Sequence, residues 1–153
     1  MSFSGLPDQA VDSTVSNDGF WPDLDTGEFQ KNYRLPAEYE LGMVEDNLQL
    51  GMASVNHTLR KWKAEQQEAG HDSMDSVPSD QIGGDKLTLI YYRRAVFCHA
   101  KALLLQQFAT TDRREAANNE AKESEETEDK FLEFSRHAIT DFLGLCRIGV
   151  YDL

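Results

Sequence analysis

One helix-length segment dominates the hydrophobic pattern of the chain: KLTLIYYRRAVFCHAKALLLQQFA, which runs from Lys86 to Ala109. At 3.6 residues per turn, its apolar side chains cover nearly the whole circumference of a helix instead of one face. They fall into three rows: Leu87, Tyr91, Ala95, Cys98, Ala102 and Leu105; Ile90, Phe97, Leu104 and Phe108; and Tyr92, Val96 and Leu103. Such a helix needs packing partners on every side, and a small domain with few other helices would need a second copy of itself to supply them. The segment therefore predicts a central helix and self-association.

A second long amphipathic helix precedes this segment and extends from about Leu41 to Ala69. Its apolar residues recur at spacings of three and four: Leu41, Val44, Leu48, Met52, Val55, Leu59 and Trp62. Gly42 and Gly51 each weaken a helix by up to roughly 1 kcal/mol, so their presence here indicates close contact with another helix.

A third long helix follows, starting between Asp112 and Glu125 and ending near Cys146. Its apolar stripe consists of Phe131, Phe134, Ala138, Phe142, Leu145 and Cys146. Nearer the N-terminus, Asp25 is placed to cap a short helix. These segments predict an all-α fold, a small bundle of about four long helices with an extended N-terminal arm and a short C-terminal tail.

The domain organisation follows from the same pattern. Residues 1–21 form the arm, residues 22–146 the helical domain and residues 147–153 the tail. The arm carries isolated apolar residues without a helical or strand period. It is therefore either a flexible terminus or a segment that becomes ordered against a neighbouring chain. Residues 70–85 form a polar loop of a length that usually serves contact with a partner, and Gly83-Gly84 within it predicts a turn.

The composition excludes several classes of protein. The chain has 153 residues, with 27 acidic and 15 basic side chains, and a formal net charge of −12. A general nucleic-acid binder is excluded because such binding rests on many Lys and Arg contacts to phosphates. The longest near-apolar run, Ala95 to Leu105, is about half the roughly 20 residues that a membrane span needs, and His99 and Lys101 interrupt it. Met1 to Gly19 contains no Lys or Arg, so no secretory signal is predicted and the chain is expected to stay where it is made.

The sequence offers little enzymatic chemistry. The four histidines lie in separate segments without a metal-ligand spacing, and no nucleophile or phosphate-binding motif is present, so we predict no metal, no cofactor and no catalytic residue. One alternative is a magnesium site on Glu120, Glu123 and Glu126, as in all-α nucleotide pyrophosphohydrolases. A solvated helix face is the favoured interpretation, because such a site needs carboxylates from at least two helices. A non-enzymatic helical regulatory protein is a further alternative.

Arg93 and Arg94 lie within the otherwise apolar segment. Since two guanidinium groups in an apolar helix need partners, we expect each to pair with a carboxylate on another helix or on another subunit.

Three stretches occur in an order and spacing that resemble a known family: Phe20-Trp21-Pro22-Asp23-Leu24-Asp25, Gly51-Met52-Ala53, and Val77-Pro78-Ser79-Asp80-Gln81-Ile82 followed by Tyr91-Tyr92-Arg93-Arg94-Ala95-Val96. They are similar to the tailed-phage (myophage) head completion protein family, GpL. The likeness runs collinearly from about Phe20 to Val150 and closes with Arg147-Ile148-Gly149-Val150.

The resemblance implies a non-enzymatic helical adaptor of the head-to-tail connector. Such an adaptor is assembled in the bacterial host cytoplasm and resides in the virion. It forms a ring, expected to be dodecameric, beneath the portal protein ring, where it holds the genome in and offers a platform to a tail-side neck or terminator protein. Double-stranded DNA passes without specific binding, and no membrane is involved.

Three sets of site residues follow from this role. The alternating apolar tail predicts portal docking, with folding back on its own bundle as the alternative; its residues are Ile148, Gly149, Val150, Tyr151 and Leu153. Contacts between subunits are assigned to Phe3, Leu6, Phe20, Trp21, Arg93 and Arg94. Acids that line the channel and repel DNA are expected in the 112–130 region and the 70–85 loop, with Glu120, Glu123, Asp75 and Asp80 as candidates.

Overall fold

The protein is described by a computed structural model that covers residues 13–111 and 121–146; side chains are described except at 110–111 and 121–127. Its helices are α1 (Thr26–Asn32), α2 (Leu41–Thr58), α3 (Arg60–Glu68), α4 (Leu87–Thr111) and α5 (Ala121–Phe142), and a short 3-10 helix spans Met74–Ser76. Two antiparallel hairpins are formed by β1 (Thr14–Val15) with β2 (Leu24–Asp25) and by β3 (Gln81–Ile82) with β4 (Asp85–Lys86). The structure confirms the predicted all-α bundle.

Helix α4 is the central helix, and its own chain covers much of it. α5 packs along one side and α2 along another, while Phe29 of α1 stacks on Phe97 with ring centroids 5.0 Å apart. The exposed large hydrophobic side chains of the described residues are Leu50, Ile82, Leu143 and Leu145, all of them outside α4. Much of the packing around this helix therefore comes from its own chain, while Leu87, Ile90, Leu103 and Leu105 stay half-buried. The self-association predicted from its apolar circumference stays a prediction.

Residues 13–21, the described part of the segment before Pro22, belong to the fold rather than to a free arm. β1 pairs with β2, and the backbone N–H of Thr26 donates to the Ser13 carbonyl at 2.8 Å. Phe20 and Trp21 are only 5% and 2% exposed. The predicted boundary of the arm at residue 21 is thus too late, and the structure corrects the inter-subunit role of Phe20 and Trp21: both rings pack inside their own chain. Phe3 and Leu6 lie outside the described residues.

The helix predicted over 41–69 is divided at Leu59 into α2 and α3. The Leu59 backbone departs from helical geometry (ψ 8°), although its N–H still donates to the Val55 carbonyl at 2.9 Å. Gly42 is exposed and a Cβ there would meet nothing within 4 Å, so the expected close contact at Gly42 is wrong. At Gly51 the expectation is confirmed, since a Cβ would lie 3.0 Å from the Val96 carbonyl oxygen and 3.3 Å from the Ala100 Cβ.

Replacing Gly51 with leucine should destabilise the bundle by about 2 kcal/mol, because the added side chain meets the α4 backbone and helix axes cannot separate without losing core contacts. The gain in helix propensity, roughly 0.8 kcal/mol, does not offset this overpacking. Urea denaturation followed by circular dichroism measures the loss. Gly42→Leu is the matched control on the same helix and should stabilise the chain by up to roughly 0.8 kcal/mol, since it gains helix propensity without a clash. Equal losses from both substitutions would contradict the packing role of Gly51.

The loop over residues 70–85 packs on the bundle in its middle and ends in a β-hairpin. Met74 and Val77 are buried, and the predicted turn at Gly83-Gly84 joins β3 to β4 with both glycines at positive φ (62° and 85°), as a two-residue hairpin turn requires. This hairpin fixes Asp85 directly before the first turn of α4.

Candidate functional site

The described residues contain no cluster of three or more His, Cys, Asp or Glu side chains that could hold a metal ion. None of the helices in this part of the chain is long and apolar enough to cross a membrane. What the structure does offer are surfaces: an acidic loop, an ion-paired arginine, a basic cleft and an apolar chain end.

The candidate channel acids are placed as follows. Asp75 and Asp80 are exposed on the 70–85 loop, with the Asp75 side chain 97% accessible and its Oδ1 3.9 Å from the Lys86 Nζ. Glu123 belongs to α5 but its side chain is not described, and Glu120 lies outside the described residues. The role of these four acids in a channel stays a prediction.

Arg93 is neutralised within its own chain. Its guanidinium lies 3.2 Å from Glu28 Oε1 and 3.0 Å from Asp85 Oδ2. The side chain of Asp25 accepts from the Glu28 backbone N–H at 2.9 Å, which confirms the predicted cap of α1 and places Glu28 in its first turn. The expected pairing with a carboxylate on another helix is confirmed for Arg93, whereas no described carboxylate pairs with Arg94. The inter-subunit assignment of both arginines stays a prediction.

An open cleft lies between the end of α1, the middle of α4 and Phe131 of α5, and the paired Glu28 and Arg93 form part of its wall. The cleft has a volume of about 550 Å³. We name it the basic cleft and define it by five of its lining residues, Tyr33, Arg34, Arg94, Lys101 and Phe131. Of these five residues, only Arg94 is among the site residues predicted from the sequence.

The positive side chains of the basic cleft rest on aromatic rings. Lys101 Nζ donates to the Tyr33 carbonyl oxygen at 2.5 Å and lies 4.6 Å from the centre of the Phe131 ring. The Arg94 guanidinium lies 5.3 Å from the centre of the Phe134 ring. Such cation–π contacts hold each charge at a fixed place.

Burial and mutual repulsion act on these groups. Burial lowers the pKa of Lys101, and the nearby Arg34 guanidinium lowers it further, while Cys98 opposes the change. Burial raises the pKa of the Tyr33 hydroxyl, an effect that Cys98 reinforces and Arg94 opposes. The cleft is therefore a place where an added negative charge would be stabilised.

The bundle ends in exposed apolar residues. α5 stops at Phe142, and beyond it Leu143 and Leu145 are 36% and 62% exposed. The predicted docking residues Ile148, Gly149, Val150, Tyr151 and Leu153 lie outside the described residues. Their portal contact stays a prediction.

The comparisons with known proteins agree with one another. A family profile described as phage head completion protein (GPL) matches residues 15–153. The chain is 29% identical over 151 residues to a probable head completion/stabilization protein of Haemophilus phage HP1 (strain HP1c1), covering 99% of both chains. It is 27% identical over 149 residues to the head completion/stabilization protein of Escherichia phage P2, covering 97% of this chain and 88% of that one. No solved structure gives a significant match. Because the family profile covers nearly the whole chain, the chain belongs to the phage head completion protein (GPL) family.

Proposed function

We propose that this chain completes and stabilises a DNA-filled phage head as a non-enzymatic adaptor of the virion, positioned between the portal protein ring and the tail. The observation that carries the proposal is the family match over residues 15–153 together with two relatives named as head completion/stabilization proteins. The magnesium-dependent hydrolase and the regulatory protein are not carried further, since neither the family match nor the described geometry favours them.

Copies of the chain surround the portal exit as a ring, which we expect to be dodecameric. This part of the proposal comes from the family resemblance, because much of the packing around α4 already comes from its own chain. A tail-side neck or terminator protein binds the opposite face of the ring.

Electrostatics supports the passage of DNA through such a ring. The chain carries a net charge of −12, and acids on the inner wall repel phosphates, so the genome does not adhere on its way out. Asp75 and Asp80 are exposed and free to face DNA, and Glu120 and Glu123 are the candidates from the other acidic segment.

Mixing the purified chain with purified portal rings tests the proposal. We expect a larger complex by native mass spectrometry, with the number of added chains matching the symmetry of the portal, and electron microscopy of that complex should show acids on the inner wall. The absence of any complex at micromolar concentrations would contradict the adaptor role. A complex whose inner wall is mainly Lys and Arg would leave the adaptor role standing and remove the repulsion mechanism.

A further inference from the structure

The basic cleft gathers positive side chains on a strongly acidic chain. In a chain with a net charge of −12, three cations converge on one opening, and no carboxylate oxygen among the described side chains lies within 4.0 Å of Arg34, Arg94 or Lys101. The neighbouring Arg93 shows the contrast, because it is held between two internal carboxylates. Glu28 is the carboxylate among the lining residues, and it is already paired with Arg93, so the described side chains offer these three cations no close counter-charge.

The backbone of Arg34 gives a second observation. Arg34 follows the end of α1 with φ at 50°, and the N–H of Leu35 donates to the Gln30 carbonyl at 3.0 Å. This left-handed position after a helix usually belongs to glycine, because a side chain there strains the backbone. An arginine kept at a strained position beside an open cleft indicates a use for its charge.

The floor of the cleft narrows the class of ligand. Tyr33 and Phe131 supply aromatic surface between the cations, with ring centroids 6.5 Å apart. An inorganic anion would pair with the cations but would make no contact with this aromatic surface. A peptide that carries carboxylates and apolar side chains would pair with the cations and also pack on the aromatic rings.

We propose that the basic cleft receives the N-terminal arm, residues 1–12, of a neighbouring copy of the chain, with Asp8 and Asp12 meeting Arg34 and Arg94 and with Phe3 or Leu6 against the aromatic floor. The arm has the required composition, since it contains these apolar residues and two aspartates and no Lys or Arg. An extended segment of this length spans up to about 40 Å, which is enough to cross between adjacent small domains.

The ring in the proposed function favours a neighbour over the chain's own cleft. Ser13 is bonded to Thr26 at the start of α1, and its hydroxyl donates to Glu45 at 2.5 Å, whereas the basic cleft lies at the far end of that helix, roughly 10 Å away. Residues 1–12 are long enough to reach either cleft, so binding of a free peptide by the full-length chain distinguishes the two. A cleft on one copy filled by the arm of the next is a head-to-tail contact, the kind that closes into a ring. This inference rests on the ring in the proposed function and supplies its contact.

A labelled peptide of residues 1–12, titrated with the full-length chain and followed by fluorescence anisotropy, tests the proposal. Saturable binding is expected, weakened about tenfold by Arg94→Gln and by Arg34→Gly, since each removes one charge-assisted pair. Arg34→Gly should also raise the melting temperature, because glycine relieves the positive φ, so weaker binding cannot be ascribed to a damaged fold. Lys61→Gln on the exposed face of α3 is the matched control and should bind the peptide like the wild-type chain.

Charge exchange sharpens the result. A peptide carrying Asp8→Lys and Asp12→Lys should fail with the wild-type chain and bind a chain carrying Arg34→Glu and Arg94→Glu. No saturable binding of the wild-type peptide, as expected if each chain fills its own cleft, overturns the proposal, and so does equal binding by Arg34→Gly and wild type. The wild-type chain and the same variants are also mixed with portal rings. If the wild-type chain binds the portal but not the peptide, this inference is wrong and the proposed function stands. If the wild-type chain does not bind the portal, the proposed function itself is wrong.

Discussion

Replacing Trp21 with alanine should cost the isolated chain about 3 to 5 kcal/mol of unfolding free energy, the range typical of a fully buried tryptophan. The Trp21 ring is stacked on Tyr92 with centroids 4.9 Å apart and planes 4° apart, and it lies 5.7 Å from the ring of Trp62. Removing it would leave a cavity at the junction of the N-terminal segment, α3 and α4. A loss of this size is a large fraction of the stability of about 5 to 15 kcal/mol that is typical of native proteins, so a clearly lower urea midpoint is expected.

Urea denaturation of the purified variant, followed by circular dichroism at two protein concentrations, measures this effect. The loss should be the same at both concentrations, because the contacts are within one chain. Ile82→Ala is the control, since that side chain is 63% exposed and its removal should change the stability by less than about 0.5 kcal/mol. An unchanged stability of Trp21→Ala would return Trp21 to the role of an anchor on a neighbouring subunit.

The misreading of Trp21 has a physical cause. Hydrophobic periodicity finds residues on the face of a regular helix, and residues 13–23 contain only the short strand β1. The aromatic cluster around Trp21 is assembled from Phe20, Trp62, Tyr92 and Phe142, which lie on separate elements. Nothing in a single sequence pairs these rings, so the segment was interpreted as an arm.

The same reasoning explains what was predictable. The Asp25 cap, the Gly83-Gly84 turn and the central helix are local signals, and the structure confirms each of them. The need for sister chains around α4 rested on counting helices alone, and the count omitted the N-terminal segment that packs Trp21 on Tyr92. An apolar circumference thus indicates that a helix is enclosed, without indicating by which chain.

The interaction surfaces were predictable only in part. Arg93 was expected to find a carboxylate on another helix, and Glu28 of α1 is that carboxylate. Arg34 carried no signal, because its left-handed backbone follows from the end of α1 rather than from its own residue type. Lys101 did interrupt an apolar helix, and two cations seven residues apart on one helix, Arg94 and Lys101, lie on the same face. That spacing was the available sign of the basic cleft.

Deleting residues 148–153 should abolish binding to the portal ring, a loss of about a hundredfold or more, while leaving the helical content unchanged. Three apolar side chains in this segment, Ile148, Val150 and Leu153, each contribute roughly 1.5 to 3 kcal/mol if they are buried at an interface, which is ample for such a loss. The alternating pattern suits addition to an exposed strand edge or insertion into grooves of a partner. Leu145, three residues before this segment, is itself 62% exposed.

Binding of the deletion variant to immobilised portal rings, with circular dichroism and thermal melting of the same sample, decides between two roles of the tail. Leu50→Asn is the matched control, because Leu50 is 58% exposed on α2 and its change alters an apolar surface residue away from the tail. If the tail packs on its own bundle, the deletion should lower the melting temperature and leave portal binding intact. If it docks on the portal, the melting temperature should hold and binding should fail, because the deleted side chains then contribute only to the interface between the two proteins.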